Sequence, residues 1–325
     1  MKININHGNG GKETSGLIDE IFMRYFKNEI GQAIEDAAVL DMNGRVAFTT
    51  DSFVVKPIFF PGGDIGRLAV CGTVNDLLTT GAKPKYLSAS FIIEEGFNIP
   101  DLERIACSMA EAAAESGVLI VTGDTKVIEG SGNIYINTAG VGQVSEIPVS
   151  FKNAEEGDSI IVTGSLGNHH ACILSARMNI KNNIKSDAAP LNHIIEGLKD
   201  GGIELHGIRD ITRGGLATIL NEISENCGLE GILYEKELPV DTEVDGLCQI
   251  LGVEPVYMGN EGKMLIVVRK DQGDAAVEII RSRKYGENAK IIGEFKQGSG
   301  VVMATEIGGQ RNISPLTGDS LPRIC

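Results

Sequence analysis

The sequence is short of cations. Against 44 Asp and Glu it sets 29 Lys and Arg, leaving a net charge of −15. That is the wrong sign for gripping nucleic acid or an anionic membrane through the general field, so neither is expected as a partner. No apolar run approaches the length of a membrane span. The opening MKININHGNGG has no charged region leading into an apolar one, and a cytoplasmic location is expected. None of the six cysteines stands in a CxxC pair, and a chain of 325 residues does not need disulfide staples. A Walker A loop is also missing, because Gly8-Asn-Gly-Gly-Lys12 lacks the spacing. His169-His170 has no third ligand at metal spacing and reads as a capping or surface pair.

Apolar residues make up 42% of the chain, enough for a substantial core and about two domains. In the first half, helical spacing covers Leu17–Phe26, Gly63–Gly81 and Leu102–Ser116. Strand-like stretches cover Arg45–Asp51, Pro84–Glu94, Val118–Val121 and Asn133–Val144. The chain turns polar around Pro148–Asp158, where a boundary is expected. Beyond it the mixture repeats, with strands near Ser159–Val162, Gly231–Tyr234, Met264–Val268, Ala289–Gly293 and Val301–Ala304. Helical spacing covers Ala171–Met178, Leu191–Asp200, Leu216–Glu225 and Ala275–Arg283. Strands neither all flank single helices nor all pair in hairpins, so the expected class is α+β. The expected divisions are 1–148, 149–310 and a mobile tail, 311–325, rich in Gly and Pro. Fully stretched, that tail would reach on the order of 50 Å.

Acidic residues recur in short polar islands: Glu35-Asp36, Thr49-Thr-Asp51, Asn75-Asp76, Gly123-Asp124-Thr125 and Arg209-Asp210. Carboxylates converging from several elements suit Mg²⁺ shared with nucleotide phosphates, whereas caps and turns are the better account of any one island taken alone. Asn75-Asp76 resists that explanation, since it interrupts an apolar helical pattern where an unpaired carboxylate is costly. Gly8–Lys12 sets permissive backbone beside a cation. Arg213-Gly-Gly215 precedes a helix whose N–H groups could meet an anion. Lys126 and Asn260-Glu261-Gly-Lys263 supply candidates for acid–base work. Five cysteines, at 71, 107, 172, 227 and 248, read as buried thiols. Cys325 is the last residue, which core packing does not explain, and a prenylation signal would need the cysteine four from the end.

Taken together, HGNGGK, EDAAVL, TTDSFVVKPIFFPGGDIGRLAVCGTVNDL, VTGDTKV, RDITRGGLA, NEGK and the closing PRIC resemble the family of aminoimidazole ribonucleotide synthetase, selenophosphate synthetase and thiamin-monophosphate kinase. Within it the resemblance is to the carbamoyl dehydratases of nickel–iron hydrogenase maturation. It implies two α/β domains, the N-terminal one forming the interface of a homodimer, the C-terminal one an α/β sandwich. It implies that Asp36, Asp51, Asp76 and Asp210 hold magnesium and ATP phosphates. Gly10, Gly11, Lys12, Asn75, Asp124 and Arg213 then bind ATP, and Lys126 and Glu261 attend a carbamoyl group carried on Cys325. The implied reaction is ATP-dependent dehydration of that group to a thiocyanate, the source of cyanide for the hydrogenase iron. The implied partners are a carbamoyltransferase of the HypF type and an iron-carrying HypC–HypD complex. Two residues depart from the pattern, Ile211 where proline is common and His170 where glycine is. A selenophosphate synthetase would carry a reactive Cys or Sec near Asn9–Gly11, which this chain lacks. A nucleotide-binding scaffold without activity would not need the full set of acidic islands.

Overall fold

The computed structural model describes residues 2–9, 11–30, 37–144 and 148–316. Alternating apolar residues define its first sheet, made of β1 (Val46–Phe53), β2 (Lys83–Glu94), β3 (Leu119–Ile128) and β4 (Ile134–Gln143). The order is β1-β4-β2-β3, antiparallel except for β2 against β3. One face, including Phe53, Leu87, Phe91 and Ile136, is buried under α1 (Ile65–Thr79) and α2 (Ile99–Ser116). Asp64 caps α1 by accepting the N–H groups of Gly66 and Arg67 at 2.8 and 2.9 Å. Gly117, in the left-handed conformation at φ 67°, ends α2 and returns the chain to the parallel neighbour β3.

The other face of this sheet is open. Register puts Phe48, Val141, Tyr86 and Leu119 in one row across it, and Ser52, Asn137, Ser90 and Asp124 in another. Phe48 is 70% exposed and Val46 50%. An open sheet face carrying large apolar residues marks a surface for association.

The second sheet has seven strands: β5 (Ser159–Val162), β6 (Leu205–Asp210), β7 (Leu229–Tyr234), β8 (Met264–Val268), β9 (Lys290–Gln297), β10 (Val301–Ala304) and β11 (Gln310–Asn312). Their order is β11-β10-β7-β9-β5-β8-β6, with only β7 and β10 parallel. β5 and β8 are buried throughout, because side chains on both faces are covered. Ile161, Ile208 and Ile266 join a core continuous with the N-terminal sheet. Ile160, Val162 and Leu265 join a second core under α3 (Gly215–Cys227).

Four sequence expectations change. β3 runs on to Ile128, since Thr122–Lys126 pair with β2 despite their polarity. Leu205–Asp210, which carries no strand-like alternation, becomes an edge strand by pairing with β8. Helix begins at Lys12 and passes through a π-helical turn, Ile18–Phe22. Of the stretch 311–325 expected as a tail, Arg311 and Asn312 belong to β11 and Ile313 is 2% exposed in the second core.

Candidate active site

The end of β1, one face of α1 and the end of β6 meet at a cavity of about 420 Å³. Asp51, Asp76 and Asp210 line it together with Arg209, Arg213 and Glu261. Thr49 and Asp51 share the helix-facing side of β1, and the Thr49 hydroxyl donates to Oδ2 of Asp76 at 3.0 Å. Close packing lets the strand approach α1 here: a Cβ on Gly72 would lie 2.9 Å from the Phe53 ring. Burial, with Asp210 and Asp51 nearby, pushes the Asp76 carboxyl up to about 7, opposed by the Thr49 hydroxyl and Arg209. Burial also raises Asp51, with Asp210 adding to the effect while the Ser52 N–H and Arg213 oppose it.

Among the described residues no three His, Cys, Asp or Glu side chains are placed to hold a metal by themselves. Asp36 lies outside the described residues, as do Gly10 and Cys325. The donors present nevertheless fit a hard divalent cation shared with phosphate oxygens. They are all oxygen, partly buried, and crowded enough that Asp76 holds its proton near neutrality.

Beside the carboxylates, Gly214 and Gly215 take left-handed φ values of 79° and 63° to start α3. A Cβ on Gly215 would lie 2.5 Å from the Val256 carbonyl, so the position admits little else. Thr212 and Arg213, just before this start, line the cavity. Residues 313–316 run back onto the same helix. Asn221 donates to the Ile313 carbonyl at 2.9 Å, and the Leu316 N–H donates to the Thr218 hydroxyl at 3.2 Å.

Glu261, the acid–base candidate, is 6% exposed and lines the cavity. Asn75 does not line it. Its amide donates to the carbonyls of Ala189 at 2.9 Å and Glu261 at 3.4 Å, and its oxygen accepts the Leu191 N–H at 3.0 Å. These bonds tie the Asn75 amide to the segment at Ala189–Leu191 and to Glu261, whereas the resemblance implied a contact with ATP.

Asp124 and Lys126 lie elsewhere. They form an exposed ion pair of 3.0 Å on β3, at the opposite edge of the sheet from β1. Asp51, Thr138, Ala89 and Gly123 stand in one row, so the two edges are three strand spacings, roughly 14 Å, apart. Gly8 packs against the Val127 backbone, which brings the segment leading to Gly11 and exposed Lys12 to the same edge strand. One chain therefore presents two separate sets of candidate residues.

Sequence reasoning passed over Thr49, Arg209 and Asp187. The first two lie inside islands already noted, and the polar interruption Lys185-Ser-Asp187 before Ala-Ala-Pro marks the third. The histidine pair is not at the surface. His169 is fully buried, its Nδ1 is 2.7 Å from the Ser186 hydroxyl, and burial followed by the charges of His170 and Arg177 lowers it to about 3. Cys107 and Cys227 are only partly buried.

A two-domain α+β chain with carboxylates gathered between its sheets has the form of an AIR synthase related protein. The N-terminal domain of that family matches residues 34–144, and its C-terminal domain matches 155–305. Carbamoyl dehydratase HypE of Cupriavidus necator is 44% identical, covering 100% of this chain and 95% of that protein. A crystal structure of hydrogenase maturation protein HypE in complex with ATP is 43% identical, with a TM-score of 0.95 and 99% of each chain covered. A structure of a HypE–HypF complex is 48% identical, with a TM-score of 0.82, covering 92% of this chain and 99% of the other. The chain belongs to the AIR synthase related family and, within it, to the HypE carbamoyl dehydratases of hydrogenase maturation.

Proposed function

We propose that the chain uses ATP to dehydrate a carbamoyl group carried on Cys325, leaving a thiocyanate. The observation that carries this is the crowding of Asp51, Asp76 and Asp210 beside Arg213 and Glu261, in a relative of an ATP-bound structure. The thiocarboxamide oxygen attacks the γ-phosphorus of ATP, ADP leaves, and one N–H proton is lost. Loss of the second N–H proton then expels phosphate and closes the C≡N bond. Magnesium held by Asp51, Asp76 and Asp210 would neutralise charge on the transferring phosphoryl group. Arg213 and the α3 N-terminus face the phosphates, and Glu261 accepts a proton from nitrogen.

Leu316 is anchored one turn into α3, and Cys325 follows nine residues on, a reach of roughly 30 Å. That suffices for the thiol to visit the cavity or a carbamoyltransferase of the HypF type. The thiocyanate would pass to the iron carried by HypC–HypD. Five free cysteines among the described residues suit a reducing cytoplasm.

The open sheet face is the surface of a homodimer. In that dimer Lys126, Asp124 and the Lys12 segment of one copy complete the carboxylate cavity of the other, since within one copy they stand at the far edge of the sheet. The divisions 1–148, 149–310 and 311–325 are kept with one change, residues 311–316 joining the second division. The test is ATP hydrolysis by the carbamoylated chain. Turnover should require both the carbamoyl group and magnesium, and equal hydrolysis by uncarbamoylated protein would count against the proposal.

A further inference from the structure

Both main-chain groups of Glu261 are held by side chains. Its N–H donates to Oδ1 of Asp187 at 3.1 Å, and its carbonyl accepts from the Asn75 amide at 3.4 Å. Glu261 stands in the loop between Asn260 and β8, so no sheet ladder fixes it.

Both holders are tied to α1. Asn75 is the residue before Asp76. The segment carrying Asp187 is stitched along the same helix: Arg67 donates to the Ala188 carbonyl at 2.8 Å, and the Asn75 amide reaches Ala189 and Leu191. Just before α1, the Pro61 carbonyl accepts the Ser186 N–H at 2.8 Å. A Cβ on Gly262 would lie 1.9 Å from the Asp187 carbonyl, so the loop lies directly on this segment. Asp187 Oδ2 is buried without a hydrogen-bond partner, and burial raises the pKa of this carboxyl, opposed by Lys263. A buried carboxylate of this kind persists where its other oxygen has a task.

We propose that Asp187 and Asn75 are positioning residues that set Glu261 in the carboxylate cavity and lock its place to that of Asp76. The inference rests on the proposed role of Glu261 in dehydration. Through Asn75, one helix fixes both the carboxylate for phosphate chemistry and the base for nitrogen. A shift of about 1 Å between them would be enough to slow the chemistry strongly.

The test is single-turnover conversion of the carbamoylated chain to thiocyanate at saturating ATP, followed by intact mass, with ATP affinity and thermal melting measured alongside. Asp187→Ala should slow conversion by about tenfold or more without changing ATP affinity. Asp187→Asn should keep most of the rate, because the amide oxygen still accepts the Glu261 N–H. Added to Glu261→Gln, Asp187→Ala should cost nothing further, since the group it positions is gone. Asn75→Ser serves as a second variant and should follow the same pattern. Wild-type conversion in Asp187→Ala, losses that simply add, or an Asp187→Asn as slow as the alanine variant would each overturn the inference. A wild-type chain that makes no thiocyanate would instead remove the functional proposal beneath it.

Discussion

The hydroxyl of Thr49 donates to Oδ2 of Asp76 at 3.0 Å, joining the first strand to the first long helix where each delivers a carboxylate to the cavity. The bond uses one Asp76 oxygen and opposes the rise in its pKa, yet burial and the two neighbouring aspartates still hold the carboxyl near 7. An acid group poised at neutrality makes cation binding and proton release one event.

Binding of magnesium and nucleotide should therefore strengthen as pH rises through about 7 and release a proton at neutral pH. Calorimetry in buffers of different ionisation enthalpy reads that proton directly. The apo protein should show the opposite trend. A carboxyl raised in the folded state contributes stability that is present below its unfolded pKa, about 4, and is lost as pH rises through about 7. Asp76→Asn should flatten both trends, and an unaltered proton count in that variant would show that another group titrates.

Asp76→Asn should also fold, because the substituted side chain keeps the shape and the Thr49 neighbour. Turnover should fall by about two orders of magnitude or more if phosphoryl charge is no longer neutralised. Chelation of magnesium should silence the wild-type chain to a similar degree and leave the variant little changed.

The two separated residue sets give a mixing experiment its discriminating power. Lys126→Ala and Asp76→Asn should each be inactive alone. Unfolded and refolded together, they should regain about a quarter of wild-type turnover, since half the dimers are mixed and each mixed dimer has one intact site. No recovery would place Lys126 and Asp76 in the same copy. Phe48→Asp, on the open face, should yield monomers by sedimentation and lose turnover with them.

Away from the cavity, Glu94 accepts hydrogen bonds from Ser131, Asn133 and Tyr135, bracing the turn between β3 and β4. The N–H groups of Asn133 and Ser131 lead in lowering its pKa to about 2. Stability from this group is present above the unfolded value, about 4.3, and is lost as pH falls through about 2. Glu94→Gln should melt lower than wild type at neutral pH, and the gap should close in strong acid. A gap that persists there would mean that shape, not charge, is what the substitution disturbs.

Much of this arrangement was legible in the sequence. Asp76 stood out as a carboxylate inside an apolar helical pattern, Asp51 lay at the end of a strand-like stretch, and Asp210 stood in a polar island. What local pattern does not carry is the third dimension. Nothing in Gly-Asp124-Thr-Lys126 reveals that its strand pairs at the far edge of the sheet, because that follows from a parallel crossover through α2. Asn75 resembled a ligand for the same reason that it is a brace: a buried amide needs partners, and only the fold shows that they are the carbonyls of Ala189 and Glu261. His169 and His170 suggested a cap or surface pair and are core residues, His169 meeting the Ser186 hydroxyl and His170 accepting the Gly259 N–H.

The central claim is that Cys325 carries the substrate, and intact and peptide mass spectrometry tests it most directly. The chain is first incubated with the carbamoyl-transferring partner and carbamoyl donor, then with ATP and magnesium. The C-terminal peptide should gain one carbamoyl group in the first step and lose one water in the second. Cys325→Ser should do neither while still dimerising and binding ATP, because the change of one sulfur for oxygen at a chain terminus is generally tolerated. A carbamoyl group found on Cys71, Cys107, Cys172, Cys227 or Cys248, or thiocyanate formed by the Cys325 variant, would contradict the account.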